Sequence, residues 1–244
     1  MIASLSMYDR PETAEANDRL WKAIRSHLTD APRDLTRDAD VWSVWQSPEL
    51  MLAQTCGMPY RTRLHHHVRL VATPDYGLPG CPPGYYNSVL VAHHTQAAQP
   101  LSAFDGASLA YNEAMSQSGW AAPFAHFTEH GLKIGPRTAT GAHRESAQAV
   151  AEQQADIAAV DALTWALIQQ FDDFSTNLTE IARTAPTPAL PFITAPNRDP
   201  EPIRCALSQA VAQLSAADRG LLRLKDIVFM PAQSYLNVPT PPQP

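Results

Sequence analysis

The chain has 244 residues, with 18 basic and 24 acidic side chains giving a net charge of −6 at pH 7. Hydrophobic residues make up 45% and charged residues 17%, so wholesale disorder is excluded, and no concentrated basic run marks a nucleic-acid or anionic-membrane surface. Its 22 prolines outnumber its 10 glycines, the inverse of ordinary usage at about 5% and 7%, so many loops are stiff.

Met1 to Met7 alternates as a strand and ends at Asp9-Arg10-Pro11. Pro11, Glu12 and Glu15 suit the start of a helix, in which Leu20, Trp21, Ile24 and Leu28 recur at helical spacing. Trp42 and Trp45, three apart, suit a helix packed on a core. Leu50 to Gln54 is a second strand, stopped by Thr55 to Pro59, and Val68 to Ala72 is a third, broken by Pro74. After the Gly- and Pro-dense Tyr76 to Tyr86 comes a strand from Ser88 to Ala92. Then Ser108 to Tyr111 is a strand, and a helix opens at Ser116 and closes at Gly131, a C′ glycine. Leu132 to Thr138 reads as extended, Ala142 to Gln154 as a helix and Asp156 to Val160 as a strand. Asp161 caps the next helix; Thr179 to Arg183 is a strand and Pro191 to Ala195 a returning one. Ile203, Leu207, Val211 and Leu214 mark a last long helix. The tail from Pro239 to Pro244 is expected to be disordered or draped as polyproline.

Strands alternating with helices predict an α/β fold with mostly parallel sheets. The strand–helix grammar occurs twice, which predicts two lobes with a cleft. Lobe 1 is expected at 1–88 plus 196–244 and lobe 2 at 89–195, with crossovers near 88–94 and 191–196. Cys56, Cys81 and Cys205 have no C-x-x-C spacing. Free buried thiols are the expected state, with a Cys56–Cys81 disulfide as the alternative. No apolar run approaches the roughly 18 residues of a membrane span, so no membrane insertion is expected. No signal-peptide pattern opens the chain, which as given reads as cytoplasmic, or as periplasmic if a leader has been removed.

The sharpest local signal is Asn112-Glu113-Ala114-Met115-Ser116-Gln117-Ser118-Gly119-Trp120, lying after a strand and before a helix. A helix start presents unpaired N–H groups and positive potential, and the hydroxyls of Ser116 and Ser118 would converge on it. Gly119 would permit close backbone approach. Two readings follow, a plain Ser N-cap or a small oxyanion site. Thr140-Gly141-Ala142-His143 repeats the idea at the next helix, where His143 is either an anion donor or a surface residue. Asp161 ends its strand as an N-cap or a ligand contact. Tyr8, Thr55 and Tyr60 lie at strand ends of the first lobe, as ligand-facing groups or core tyrosines. His65-His66-His67 and His93-His94 do not make a metal site, because consecutive strand residues face opposite ways. No Walker loop, G-x-G-x-x-G or G-x-S-x-G is present, so neither metal, cofactor nor catalytic residues are expected.

The order of these segments resembles the phosphate, phosphite and phosphonate substrate-binding proteins of ABC transporters, in the type 2 periplasmic-binding fold. The family's Ser-Thr-Ser-Gly loop is similar to Ser116-Gln117-Ser118-Gly119, with Gln117 in place of the middle hydroxyl and the bulk of Trp120 beside it. Its Gly-Ser-His, Ala-Val and Ala-Asp-Ile segments resemble Gly141-Ala142-His143, Ala149-Val150 and Ala155-Asp156-Ile157. Gly57-Met58-Pro59-Tyr60 and Tyr86-Asn87-Ser88-Val89 match two further segments. The resemblance spans about residues 2 to 230 and implies a non-enzymatic, monomeric binder whose lobes close on a small anion. Tyr8, Thr55, Tyr60, Ser116, Gln117, Ser118, Gly119, His143 and Asp161 would hold the ligand, and an ABC permease would be the partner. The alternative on the same fold is a cytoplasmic enzyme resembling those of thiamine-pyrimidine synthesis or chorismate dehydration.

Overall fold

The computed structural model describes all 244 residues. They form two compact units, Met1–Tyr85 with Pro188–Val238, and Tyr86–Thr187 with Pro239–Pro244. The chain passes between units a few residues before each expected crossover, because Ser88–His93 and Phe192–Thr194 are interior strands of their sheets. An interior strand is bonded on both sides and belongs wholly to one unit. The tail also departs from expectation, since it joins unit 2 rather than the first lobe.

In unit 1 the sheet runs in the order Ile2–Ser4, Leu50–Gln54, Phe192–Thr194, Arg69–Asp75 and Asp226–Val228. Three of these strands point one way, and the two returning strands are antiparallel to their neighbours, so the sheet is mixed. Helices Ala14–Arg25 and Pro200–Ala212 cover one face. Leu20, Trp21 and Ile24 meet Ile203, Leu207 and Val211 over Leu52 and Val71. The helical spacing places these side chains on one stripe, and burying each is worth about 1.5–3 kcal/mol. The other face carries Trp45, Tyr60, Leu64 and Tyr235 against Leu50, Ala53 and Ile193. Trp42 and Trp45 meet edge to face at 5.1 Å.

Pro74 does not break its strand. Phe192–Thr194 pairs only with Arg69 to Ala72, so beyond that point Arg69–Asp75 is flanked by Asp226–Val228 alone. A strand with one open edge tolerates a missing donor.

Tyr235 locks unit 1 from its far end. Its hydroxyl donates to the Ala189 carbonyl at 2.8 Å and accepts from the Thr73 hydroxyl at 2.6 Å, all buried. Removing it orphans both partners. Tyr235→Phe is therefore expected to lower stability by about 1–3 kcal/mol, read as a shift in urea midpoint with unchanged slope.

Unit 2 repeats the plan. Its sheet runs Arg137–Ala139, Leu109–Tyr111, Ile157–Asp161, Ser88–His93 and Leu178–Arg183. The first three are parallel, and Ser88–His93 is antiparallel to both its neighbours. On one face Trp120, Phe127 and Phe104 pack on Leu90, Leu109 and Ile157. Helix His143–Ala151 packs on Ile157–Asp161 and Ser88–His93. Its sequence expectation began one residue earlier and ended three residues later. Gln153 sits at φ 59°, a left-handed conformation that does not continue a helix.

Helix Ala122–Glu129 ends as its sequence predicts. Gly131 adopts φ 69°, its N–H bonds the Thr128 carbonyl, and Leu132 N–H bonds the Phe127 carbonyl. Of the segment Leu132 to Thr138 read as extended, only Arg137 and Thr138 enter a strand, Arg137–Ala139. None of the three cysteines is in a disulfide; Cys56 is buried, Cys81 half-buried and Cys205 exposed. The expectation of buried thiols thus holds for Cys56 alone. No helix is long and apolar enough to cross a membrane.

Candidate functional site

Parallel strands bring their carboxyl ends to one edge, and open α/β sheets bind ligands there. In unit 2 that edge gathers the loops after Tyr111, Ala139 and Asp161 with the start of Ser88–His93, since Ser88 pairs with Asp161. The first two loops are stitched together beyond their strands. Thr140 N–H bonds the Tyr111 carbonyl and Gly141 N–H the Asn112 carbonyl, each at 2.9 Å.

The loop after Tyr111 turns into Ala122–Glu129 through one wide turn, Gln117–Ala121. Ser116 caps that turn, its hydroxyl oxygen accepting from Gly119 N–H at 2.9 Å. The N-cap reading of this loop is realised on Ser116. Ser118 faces His143, with Ser118 Oγ 2.8 Å from His143 Nε2. The Ser88 hydroxyl donates to the Ser118 carbonyl at 2.8 Å and fixes the loop from the neighbouring strand. Gly119 is required by space. A Cβ there would lie 1.9 Å from Asn112 Oδ1 and 3.2 Å from Ser116 Oγ.

Gln117 is buried at 3% exposure beside Ser116 and Ser118. The Trp120 indole, expected beside the loop, instead points into the interior of unit 2. It is fully buried in the core, where apolar neighbours outweigh any surface position. Its ring N–H donates to the Pro242 carbonyl at 2.8 Å, which drapes the tail over unit 2.

His143 opens its helix and is half-buried. Its Nδ1 lies 3.2 Å from the Ala159 carbonyl. A carbonyl only accepts, so Nδ1 carries the proton and Nε2 is left to accept from the Ser118 hydroxyl. Burial pushes the imidazole down to about 4, against the partial opposition of the Ala159 hydrogen bond. The sign follows directly. An unfolded histidine near 6.5 binds a proton that the folded one refuses, so this contribution to stability is present above about 6.5 and lost as pH falls towards 4. Without ligand, the stability difference between wild type and His143→Gln is expected to shrink over that window, read by urea unfolding at stepped pH. A difference that grows on acidification contradicts it.

Asp161 is buried at 2% and caps Ala162–Phe171, its carboxylate accepting from Leu163 and Thr164 N–H at 2.8 and 3.1 Å. In unit 1 the corresponding sheet edge gathers Tyr8, Gln54, Thr55 and Tyr76. Tyr8 meets Tyr76 edge to face at 5.4 Å, and the Tyr76 hydroxyl accepts from Gln54 Nε2 at 2.9 Å. Thr55 is fully buried, and its hydroxyl has no hydrogen-bond partner.

Tyr60 does not join this edge. It is 2% exposed in the core on the opposite face of the sheet, against Tyr235 at 5.2 Å. The wide turn Tyr60–Leu64 directs its ring inward. The signals that sequence reading missed are Ser88 and Asn112, small polar residues at strand ends whose role depends on a loop from elsewhere. Of the histidines, His65 and His66 stack at 3.7 Å, and no group of three or more His, Cys, Asp or Glu is placed to hold a metal.

Comparison with known proteins returns a family and a fold. The sequence profile described as "ABC transporter, phosphonate, periplasmic substrate-binding protein" matches residues 46–233. No curated protein matches the chain in sequence. Among solved structures, PhnD1 from Prochlorococcus marinus in complex with methylphosphonate superposes at TM-score 0.71 with 13% identity, covering 97% of this chain and 95% of its own. A binding-protein component of an ABC phosphonate transporter from Pseudomonas aeruginosa gives 0.70 and 14%, covering 93% and 80%. XAC2383 from Xanthomonas citri bound to ATP gives 0.68 and 15%, covering 96% and 92%. At these identities the structural likeness establishes the fold.

Proposed function

Because the chain belongs to the periplasmic phosphonate substrate-binding family of ABC transporters, we propose that it captures a small phosphonate-class oxyanion on the loop Ser116–Gly119 for delivery to an ABC permease. The observation that carries this reading is the Ser118–His143 pair, set beside the first-turn N–H groups of a helix start. Such groups are directional donors that need no cationic side chain, so an acidic protein can hold an anion locally. Long-range repulsion from the net charge is screened within about 10 Å.

The roles divide by chemistry. The loop N–H groups and Ser118 donate to the oxyanion, while Ser116 and Gly119 hold the turn in shape. Gln117 adds a longer amide where the related loops carry a hydroxyl. Asp161, at the same sheet edge of unit 2, is assigned to a further ligand contact. Tyr60 is assigned to the core. The family is one of transport proteins, so the ligand is expected to be recovered unchanged after binding.

The test is thermal unfolding with millimolar methylphosphonate, phosphate, phosphite, sulfate and acetate. A ligand at a hundred times its Kd adds about 2.7 kcal/mol, a shift well above noise. Stabilisation by the phosphorus oxyanions, strongest for a phosphonate, supports the reading. Stabilisation by none of the panel contradicts it.

A further inference from the structure

The hydrogen-bond pattern at Ser118 creates a problem for any anion that binds there. Ser118 has one hydroxyl hydrogen, and His143 Nε2 holds it at 2.8 Å. The histidine cannot change roles by tautomerism, because Nδ1–H is committed to the Ala159 carbonyl at 3.2 Å. As it stands, Ser118 therefore offers an approaching anion only lone pairs. To accept the anion, the hydroxyl must turn its hydrogen towards it. That leaves Nε2 of the half-buried ring as an acceptor without a protein donor, which is the costly half of a broken hydrogen bond.

Resting on the anion reading above, we propose that the Ser118–His143 pair takes up one proton together with each oxyanion it binds. The Ser118 O–H bond is not broken; its hydrogen bond passes from Nε2 to a ligand oxygen. The proton then filling Nε2 comes from one of two places. It is the ligand's own P–OH, retained by the ligand and donated as a hydrogen bond, or a solvent proton bonded covalently to Nε2, making His143 an imidazolium beside the anion. Both states hold the same number of protons, so a dianion in solution binds with net uptake of one.

The charged surroundings do not supply this proton's counterpart. On the helix of His143, Arg144 is paired with Asp172 at 2.8 Å and contacts Glu145 at 3.2 Å. From the elements packed on that helix come Asp161, capping the next helix, Asp173, and the mutually paired Glu180 and Arg183. His93 bonds Thr95 at the far end of its strand, Tyr111 ends its own, and Glu113 lies on the loop leading to Ser116. None of these groups contributes to the lowered basicity of His143, which arises from burial opposed by the Ala159 bond. The protonated form thus lacks a resident counter-ion, and the bound anion supplies one.

Isothermal titration of the whole protein with methylphosphonate, in buffers of different ionisation heat at alkaline pH, counts the protons. The expected result is close to one proton taken up per anion, with affinity falling about tenfold per pH unit. In His143→Gln, whose amide donates without titrating, uptake is expected to fall near zero and the pH slope to flatten. Sulfate, a dianion throughout, separates the sources. Uptake with sulfate places the proton on His143, whereas uptake with methylphosphonate alone places it on the ligand. Should the variant fold poorly, nitrogen-15 NMR of wild-type His143 gives the answer, as Nε2 changes from accepting the Ser118 hydroxyl to a protonated or ligand-bonded state. Binding without uptake, uptake unchanged in His143→Gln, or an Nε2 signal indifferent to methylphosphonate overturns the proposal while leaving the anion site standing. Absence of any oxyanion binding removes both.

Discussion

Replacing Trp120 by alanine is expected to destabilise the protein by about 3–5 kcal/mol, the range for emptying a buried aromatic site. The indole is completely buried, with Tyr111 at 5.9 Å and Phe124 at 5.5 Å between ring centres, and Arg137 over its face at 5.9 Å. It also follows Gly119 directly, so the same residue anchors the hydrophobic core of unit 2 and the far end of the loop Ser116–Gly119. Loss of the ring leaves a cavity that the surrounding strands cannot fill, since Leu90, Leu109 and Ile157 are fixed in the sheet. Trp120→Phe keeps one aromatic ring in the core and gives up part of the indole's volume together with the N–H that holds the Pro242 carbonyl. It is expected to cost less than half as much. Denaturant midpoints for the two variants check both statements, and an alanine variant within about 1 kcal/mol of wild type contradicts them.

The largest expected effect on binding is at Ser118. Ser118→Ala removes one hydrogen bond to a charged group, worth about 1.5–3 kcal/mol, so methylphosphonate is expected to bind roughly 10- to 150-fold more weakly. Ser116→Ala, two residues earlier, is the informative partner. Its hydroxyl is occupied with Gly119 N–H, so the expected loss is one of stability, about 0.5–2 kcal/mol as for other N-caps, with a smaller change in affinity. Equal weakening of binding by the two substitutions contradicts this division of labour. The measurements are calorimetric affinity and urea midpoint on the same pair of variants.

Much of the architecture was legible because local chemistry and global fold agree. The stripe of Leu20, Trp21 and Ile24, the C′ glycine at 131 and the Asp161 cap each act within a few residues, and the structure uses them as they read. The misreadings share a cause, namely dependence on a distant segment. Pro74 is tolerated because Phe192–Thr194 stops short of it, which no local window shows. Tyr60 and Trp120 turn inward because Tyr235 and Phe127 wait for them in the core. Ser88 matters to the loop through a carbonyl thirty residues away, and Asn112 through the space it fills above Gly119. The candidate loop itself was readable as a helix start bearing hydroxyls. Which serine caps and which meets the histidine was not, since that depends on the path of the turn Gln117–Ala121.

The transport reading and the chemistry meet at one set of atoms. Family membership gives the class of protein, and the Ser118–His143 pair is the place proposed for the ligand's oxygens. The most direct measurement is a crystal structure of the whole protein grown with methylphosphonate. The account predicts a phosphonyl group within hydrogen-bond distance of Ser118 Oγ and of the backbone N–H groups of Gln117 and Ser118. A methylphosphonate seated elsewhere, with the Ser118 hydroxyl still on His143 Nε2, would contradict it.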